Sequence, residues 1–138
     1  MTTDVMTISS PPTYPSVINF DLLLGEVLYV RPVQTLNATV NFRGSSSSTL
    51  NSLLSDRLIT ARLILRTGTR SFIPQTFYVD GVIHYPDFLN GSQTKSVSTN
   101  RMIEYTFKFY KDGNNIYSMA FVSQYAPTIK GAVAVSAR

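Results

Sequence analysis

Leu36-Asn37-Ala38-Thr39-Val40-Asn41-Phe42 alternates apolar and polar side chains without a break. A period of two places Leu36, Ala38, Val40 and Phe42 on one face and Asn37, Thr39 and Asn41 on the other, which is the pattern of a half-buried β-strand. The same period returns on both sides of this stretch. Ile59, Ala61, Leu63 and Leu65 form an apolar row within Arg57 to Arg66, and Ile103, Tyr105, Phe107 and Phe109 form another within Met102 to Tyr110. Val17 to Leu22 and Glu26 to Arg31 read as two earlier strands, the second stopped by Pro32. Gln75 to Val79 and Val82 to Tyr85 flank Asp80-Gly81, a dipeptide suited to the positive φ angles of a tight hairpin. Asn115 to Tyr125 is a final strand; alternation alone leaves open which of its two rows faces inward.

One segment breaks the period. In Thr49 to Ser55, Leu50, Leu53 and Leu54 fall at i, i+3 and i+4, which predicts a short helix near residues 48–55, capped by Ser47 or Ser48. Short strands with turn signals about every ten residues predict an all-β fold, an antiparallel β-sandwich of jelly-roll type with one short helix. A five-stranded barrel is the competing arrangement.

Composition narrows the function. The 138 residues include no cysteine and one histidine, which excludes disulfides, thiolate metal sites, thiol nucleophiles and multi-histidine metal sites. Charged residues are 14% and hydrophobic residues 43%, while Ser and Thr make up roughly a fifth of the chain. Few charges and many hydroxyls suit a β-rich protein whose surface is covered by partners. The net charge of +4 permits an acidic partner without requiring nucleic acid. No apolar run is long enough to span a membrane as a helix. Residues 1–16 lack the basic and apolar regions of a signal peptide, so synthesis and use without export is expected.

The chain divides into an extended arm, residues 1–16, a sandwich body, residues 17–126, and a small-residue tail, residues 127–138. Pro11, Pro12 and Pro15 forbid helix in the arm. A polar, proline-rich arm is expected to dock on a neighbouring subunit, with Pro11, Pro12, Tyr14 and Pro15 at the contact and Ile129 and Val133 of the tail at another. Arg57, Arg62, Arg66 and Arg70 form the densest basic stretch. Nucleic-acid modules interleave such residues with stacking aromatics, and here the aromatics lie beyond the run. An interface or a charged sheet edge is the expected role of Arg62, Arg66 and Arg70.

His84 would need an orienting acid to act as a base, and Asp80 and Asp87 are near it in sequence. Asp80 serves the turn and Asp87 follows a proline, so a structural or surface histidine is expected. The carboxylates are scattered singly, and no nucleophile elbow or phosphate-binding glycine loop is present. No catalytic residue, cofactor or metal is assigned.

The order Asn41-Phe42-Arg43-Gly44, a serine run, then Thr49-Leu50-Asn51-Ser52-Leu53-Leu54 resembles a recurring module in virion structural proteins of tailed bacteriophages, especially cyanophages. Phe77-Tyr78-Val79-Asp80-Gly81, Tyr105-Thr106-Phe107 and Ser123-Gln124-Tyr125-Ala126 continue the likeness in order, over about Val17 to Ala126. Where the family carries a Lys-Trp pair after its turn, this chain has His84-Tyr85. The module commonly ends long, fibre-like proteins. The resemblance implies a non-enzymatic tail- or fibre-associated component or a capsid-surface decoration protein, assembled in the host cytoplasm. Its partners would be capsid, tail or baseplate proteins and further copies of itself, a trimer among the symmetric arrangements. A tail module that binds host-surface glycan is the alternative. Asn41 to Gly44, Leu50, Leu53, Leu54, Asp80 and Gly81 are expected to build structure.

Overall fold

A computed structural model describes residues 5–89 and 99–125. Among them are ten strands and one short helix. In chain order they are β1 (Met6–Ser9), β2 (Val17–Asp21), β3 (Val27–Val33), β4 (Thr39–Arg43), α1 (Leu50–Leu53), β5 (Ile59–Arg66), β6 (Thr76–Val79), β7 (Val82–His84), β8 (Asp87–Phe88), β9 (Met102–Asp112) and β10 (Asn115–Tyr125). The larger sheet has the order β1-β3-β5-β9-β10-β8, the smaller β2-β4-β6-β7.

The expected two-layer, mostly-β architecture with a short helix is present, but the antiparallel jelly roll is not. From β1 to β6 the chain alternates between layers, so successive strands of one sheet run parallel. β1 pairs parallel with β3 and β3 with β5; β2 pairs parallel with β4 and β4 with β6; β8 pairs parallel with β10. Antiparallel pairs are confined to β6–β7, β5–β9 and β9–β10. A parallel pair needs a long crossover, usually a helix. Here a strand of the facing sheet supplies it, and the chain winds as a flattened coil.

Alternation reports which face is buried, not the direction of the neighbouring strand. Parallel sheets usually lie under helices on both faces and read as continuous apolar runs. The smaller sheet instead leaves its outer face to water, with Asn19 beside Asn41 beside Tyr78 in register. The Asn41 Nδ2 donates to Asn19 Oδ1 at 3.3 Å, and Arg43 Nε donates to Asp21 at 2.5 Å. The parallel register sets the two amides side by side, close enough to share a hydrogen bond, and Asp21 beside Arg43 as an ion pair.

The inner faces meet in one aromatic core. Phe42 is fully buried, with the rings of Phe107 and Phe109 from the other sheet each 4.8 Å away, edge to face, and Phe20 at 5.6 Å. Ile103, Tyr105, Phe107 and Phe109 are all buried, as is the Ala61, Leu63, Leu65 row of β5. In β10 the inward row is Ile116, Ser118, Ala120 and Val122; Tyr117, Met119 and Phe121 face out.

Two local expectations are corrected. β3 runs through Pro32, and its register with β5 breaks between Tyr29 and Val33. Such an irregularity accommodates a residue that cannot donate to the ladder. The helix cap is Thr49, whose extended backbone lets Oγ1 accept from Ser52 N at 3.1 Å; Ser47 and Ser48 lie in the loop before it. Leu50 and Leu54 are buried and Leu53 is half-buried.

The N-terminal segment, expected as a separate arm, belongs to the same two layers. β1 pairs with β3 of its own chain, and Tyr14 lies in the core at 5% exposure. The tail, with Ile129 and Val133, lies outside the described residues.

Candidate functional site

Two motifs far apart in sequence meet at one end of the fold. The β6–β7 hairpin turns at Asp80 and Gly81, with φ of 52° and 80°, both in the left-handed region that this turn type demands. Gly81 has open space around its α-carbon, so conformation and not crowding calls for glycine. The turn is anchored to β4: Asp80 N donates to Phe42 O at 2.9 Å and Gly81 N to Asn41 Oδ1 at 3.0 Å. The Asp80 carboxylate then accepts from Leu50 N at 2.6 Å and Asn51 N at 3.0 Å. It thereby satisfies amides that the first turn of α1 leaves unpaired, and its negative charge suits a helix N-terminus.

Gly44 closes the loop behind this junction. Its N–H and that of Ser45 both donate to Ser48 O at 3.0 Å. A β-carbon there would press on Ser48 Cβ at 3.0 Å and on the carbonyl oxygens of Ser48 and Thr49 at 3.1 Å, so here crowding calls for glycine. The serine run and the Asp80-Gly81 turn border a polar groove of about 440 Å³. Asn41, Arg43, Gly44, Leu50, Asp80 and Gly81 are thus brought together, in positions that hold strand, loop, helix and hairpin in place. The link from Asp80 to the helix is the part sequence reasoning missed; the acidic turn residue was its one visible signal.

Asp80→Ala is expected to lower stability by about 1.5–3 kcal/mol, because two hydrogen bonds to a charged acceptor are lost and the Leu50 amide is left partly buried. Asp80→Asn keeps an acceptor and tolerates positive φ, so it should recover part of the loss. Urea unfolding of the three proteins checks the order.

His84 lies beside this junction. A groove of about 680 Å³ between β7 and β10 is lined by Val82, Ile83, His84, Asn115, Ile116 and Tyr117, among others. His84 Nε2 is 2.7 Å from Ser118 Oγ, and its ring is 5.8 Å from that of Phe109. A serine acting on a substrate must be reachable; Ser118 is 2% exposed and faces the core. The pair fastens β7 to β10. Asp21 is engaged by Arg43, Glu26 accepts from Val5 N at 2.9 Å, and Asp80 holds α1, so none of these carboxylates is paired with another acid. Among the described residues no three His, Asp or Glu side chains gather where a metal could bind.

Burial pushes the His84 imidazole below its ordinary 6.5, while the charge of Asp87 pulls the other way. The unfolded chain therefore takes up this proton first as pH falls. The stabilising contribution is complete above about pH 6.5 and is lost progressively below it, toward the depressed folded value. The wild-type protein should lose stability relative to His84→Gln between pH 6.5 and 5, as read from paired thermal melts. Parallel curves would contradict this.

The arginine run is not at an edge. β5 is an interior strand, with β3 on one side and β9 on the other. Arg62 Nε donates to Glu104 Oε2 at 2.7 Å across the outer face, and Thr106 Oγ1 donates to the same oxygen at 3.3 Å. Arg66 lies further along β5, and Arg70 stacks over Phe72 at 5.3 Å. Arg62 and Arg66 thus sit on an interior strand and not at a sheet edge, Arg62 pairing across to β9, while Arg70 lies beyond the end of β5. Of the arm residues expected at an interface, Pro12 is exposed, Pro11 and Pro15 are half-buried, and Tyr14 is internal.

Compared with protein-family models, with curated proteins and with solved structures, the chain matches none of them at a significant level.

Proposed function

We propose that this chain is a non-enzymatic structural component of a tailed-phage virion, tail- or fibre-associated or a capsid-surface decoration, assembled from several copies in the host cytoplasm. Two lines support the reading. The first is the resemblance of the Asn41–Leu54 and Phe77–Gly81 stretches to a virion module; these stretches form the junction described above. The second, which carries most of the weight, is the distribution of exposed apolar residues. Met6 and Ile8 on β1, Leu23 and Leu24 in the turn after β2, and Tyr117, Met119 and Phe121 on β10 are all exposed. Apolar surface on this scale is what a subunit covers when it is built into something larger.

A second reading has its own observation. Tyr85 is 79% exposed, and Tyr117 lines the groove that also presents the amides of Asn114 and Asn115. Aromatic faces beside amides suit a glycan, as in a receptor-binding module of a tail. Immunogold labelling of intact particles, with an antibody against the full chain, separates the two. Label on capsid or tail, with no binding of the isolated protein to host cells, supports the structural part. Cell-surface binding that Tyr85→Ala abolishes supports the receptor module. Particles without label would overturn both.

A further inference from the structure

The two ends of the core differ in chemistry. Around Phe42 the sheets meet through the rings of Phe107 and Phe109. Further toward the start of β9 the inward ring is Tyr105, in register with Leu63 of β5 and buried together with its hydroxyl. Two more polar side chains are shut in at this end. Tyr14 lies just before Ser16, whose carbonyl oxygen accepts from Thr39 N at the start of β4 at 2.9 Å. Gln34 follows β3, and its N–H donates to Arg66 O at the end of β5 at 2.8 Å. Tyr14, Gln34 and Tyr105 are 5%, 4% and 0% exposed. Among the described residues, Tyr14 Oη, Gln34 Oε1 and Tyr105 Oη are the buried side-chain atoms that meet no hydrogen-bond partner. Their electrostatics make them neighbours as well. Burial pushes both phenols up, the Gln34 amide draws that of Tyr14 part of the way back, and Tyr14 adds to the rise at Tyr105. Both phenols therefore keep their protons at physiological pH.

We propose that Tyr14, Gln34 and Tyr105 bind one buried water molecule, which ties the N-terminal segment to β9 and to the end of β3. Buried polar groups left unmatched are costly, and native interiors match nearly all of them through protein or ordered water. Counting donors and acceptors selects the ligand. Each phenol has an O–H to give, and the Gln34 oxygen needs one. A water accepts both phenol hydrogens on its lone pairs and donates one of its own to Gln34 Oε1. That makes three hydrogen bonds, the usual number for a buried water, which is about three. A metal cation would accept neither O–H, and among the described residues no carboxylate is buried to balance its charge. A direct bond between Tyr14 and Gln34 would satisfy two of the three atoms and leave Tyr105 unmatched. The inference stands apart from the virion reading, since it concerns the inside of a single subunit.

Oxygen-17 magnetic relaxation dispersion of water, measured on the full chain, tests it. The oxygen nucleus follows whole water molecules and is blind to exchange of their protons. A water held longer than the tumbling time of the protein adds a step to the dispersion. The wild type should show such a step, and Tyr14→Phe and Tyr105→Phe should each lower it by one water molecule. Both changes remove a hydroxyl and keep the ring. Both variants should also melt below the wild type, because losing the water leaves the remaining groups unmatched. A wild type without a step, or a step of equal height in both variants, would overturn the proposal. A variant that melts at or above the wild-type temperature would do the same, since that marks an oxygen buried with nothing bound to it. A crystal structure of the wild type reads the site without any variant. Density for one water within hydrogen-bond distance of all three oxygens supports it, and a protein atom or no density in that place sinks it.

Discussion

Phe42→Ala should cost about 3–5 kcal/mol, the range for emptying a large buried aromatic site, out of a total folding stability of about 5–15 kcal/mol for a domain. Phe42 is fully buried at the point where the sheets face each other. Its ring meets Phe107 and Phe109 across the layers and Phe20 and Phe77 along its own sheet. Four aromatic neighbours on strands of both sheets cannot all close in on the vacated space without moving β4 against its partners. The penalty should therefore sit near the upper end. Equilibrium urea unfolding measures it. Phe121→Ala supplies the control: that side chain is 40% exposed on the far side of β10, and its loss should change the stability of the isolated subunit by no more than about 0.5 kcal/mol. If Phe42→Ala costs under about 1 kcal/mol, the two sheets do not share the core described above.

That core is also the part of the molecule most legible in the sequence. Period-two alternation marked Ala38, Val40 and Phe42, then Ile103, Tyr105, Phe107 and Phe109, and all seven are buried. The hairpin at Asp80-Gly81 was legible because few residues other than glycine and asparagine or aspartate tolerate two successive positive φ angles. Strand direction was not legible. A side-chain period is the same for parallel and antiparallel neighbours, and the usual cue, continuous apolar runs in parallel strands, fails here because the Asn19, Asn41 and Tyr78 row meets water. The placement of Arg62 in an interior strand was hidden for the same reason: sequence gives the face a residue takes, while sheet order depends on which strands meet. The tie from Asp80 to Leu50 N spans thirty residues and passes through a backbone donor, which leaves no trace in local pattern. Segment 1–16 misled because prolines and hydroxyls suppress every period, yet four of its residues need only backbone hydrogen bonds to join a sheet edge.

Deleting residues 1–16 should therefore destabilise the body. An arm held only by a neighbouring subunit could be removed without changing the unfolding of the isolated chain. Here the segment supplies β1, whose Met6 to Ser9 lie in register with Val27 to Val30, and the buried ring of Tyr14. It also supplies three ties to the chain beyond it: Val5 N to Glu26 Oε2 at 2.9 Å, Val27 N to Val5 O at 3.2 Å, and Thr39 N to Ser16 O at 2.9 Å. Loss of the Tyr14 ring alone belongs with large-to-small core changes, so a total above about 3 kcal/mol is expected. Burial also pushes the Tyr14 phenol up to about 12, so the ring enters the core neutral at physiological pH and brings no charge that would offset its contribution. Gly25→Ala separates the strand from the ring. A β-carbon at Gly25 would collide with the Val5 carbonyl oxygen, forcing β1 outward while Tyr14 keeps its place. Hydrogen exchange in Gly25→Ala should speed up at residues 6–9 before the rest of the larger sheet responds. A truncated chain with the wild-type urea midpoint would show that β1 and Tyr14 are ornaments on a body that folds without them.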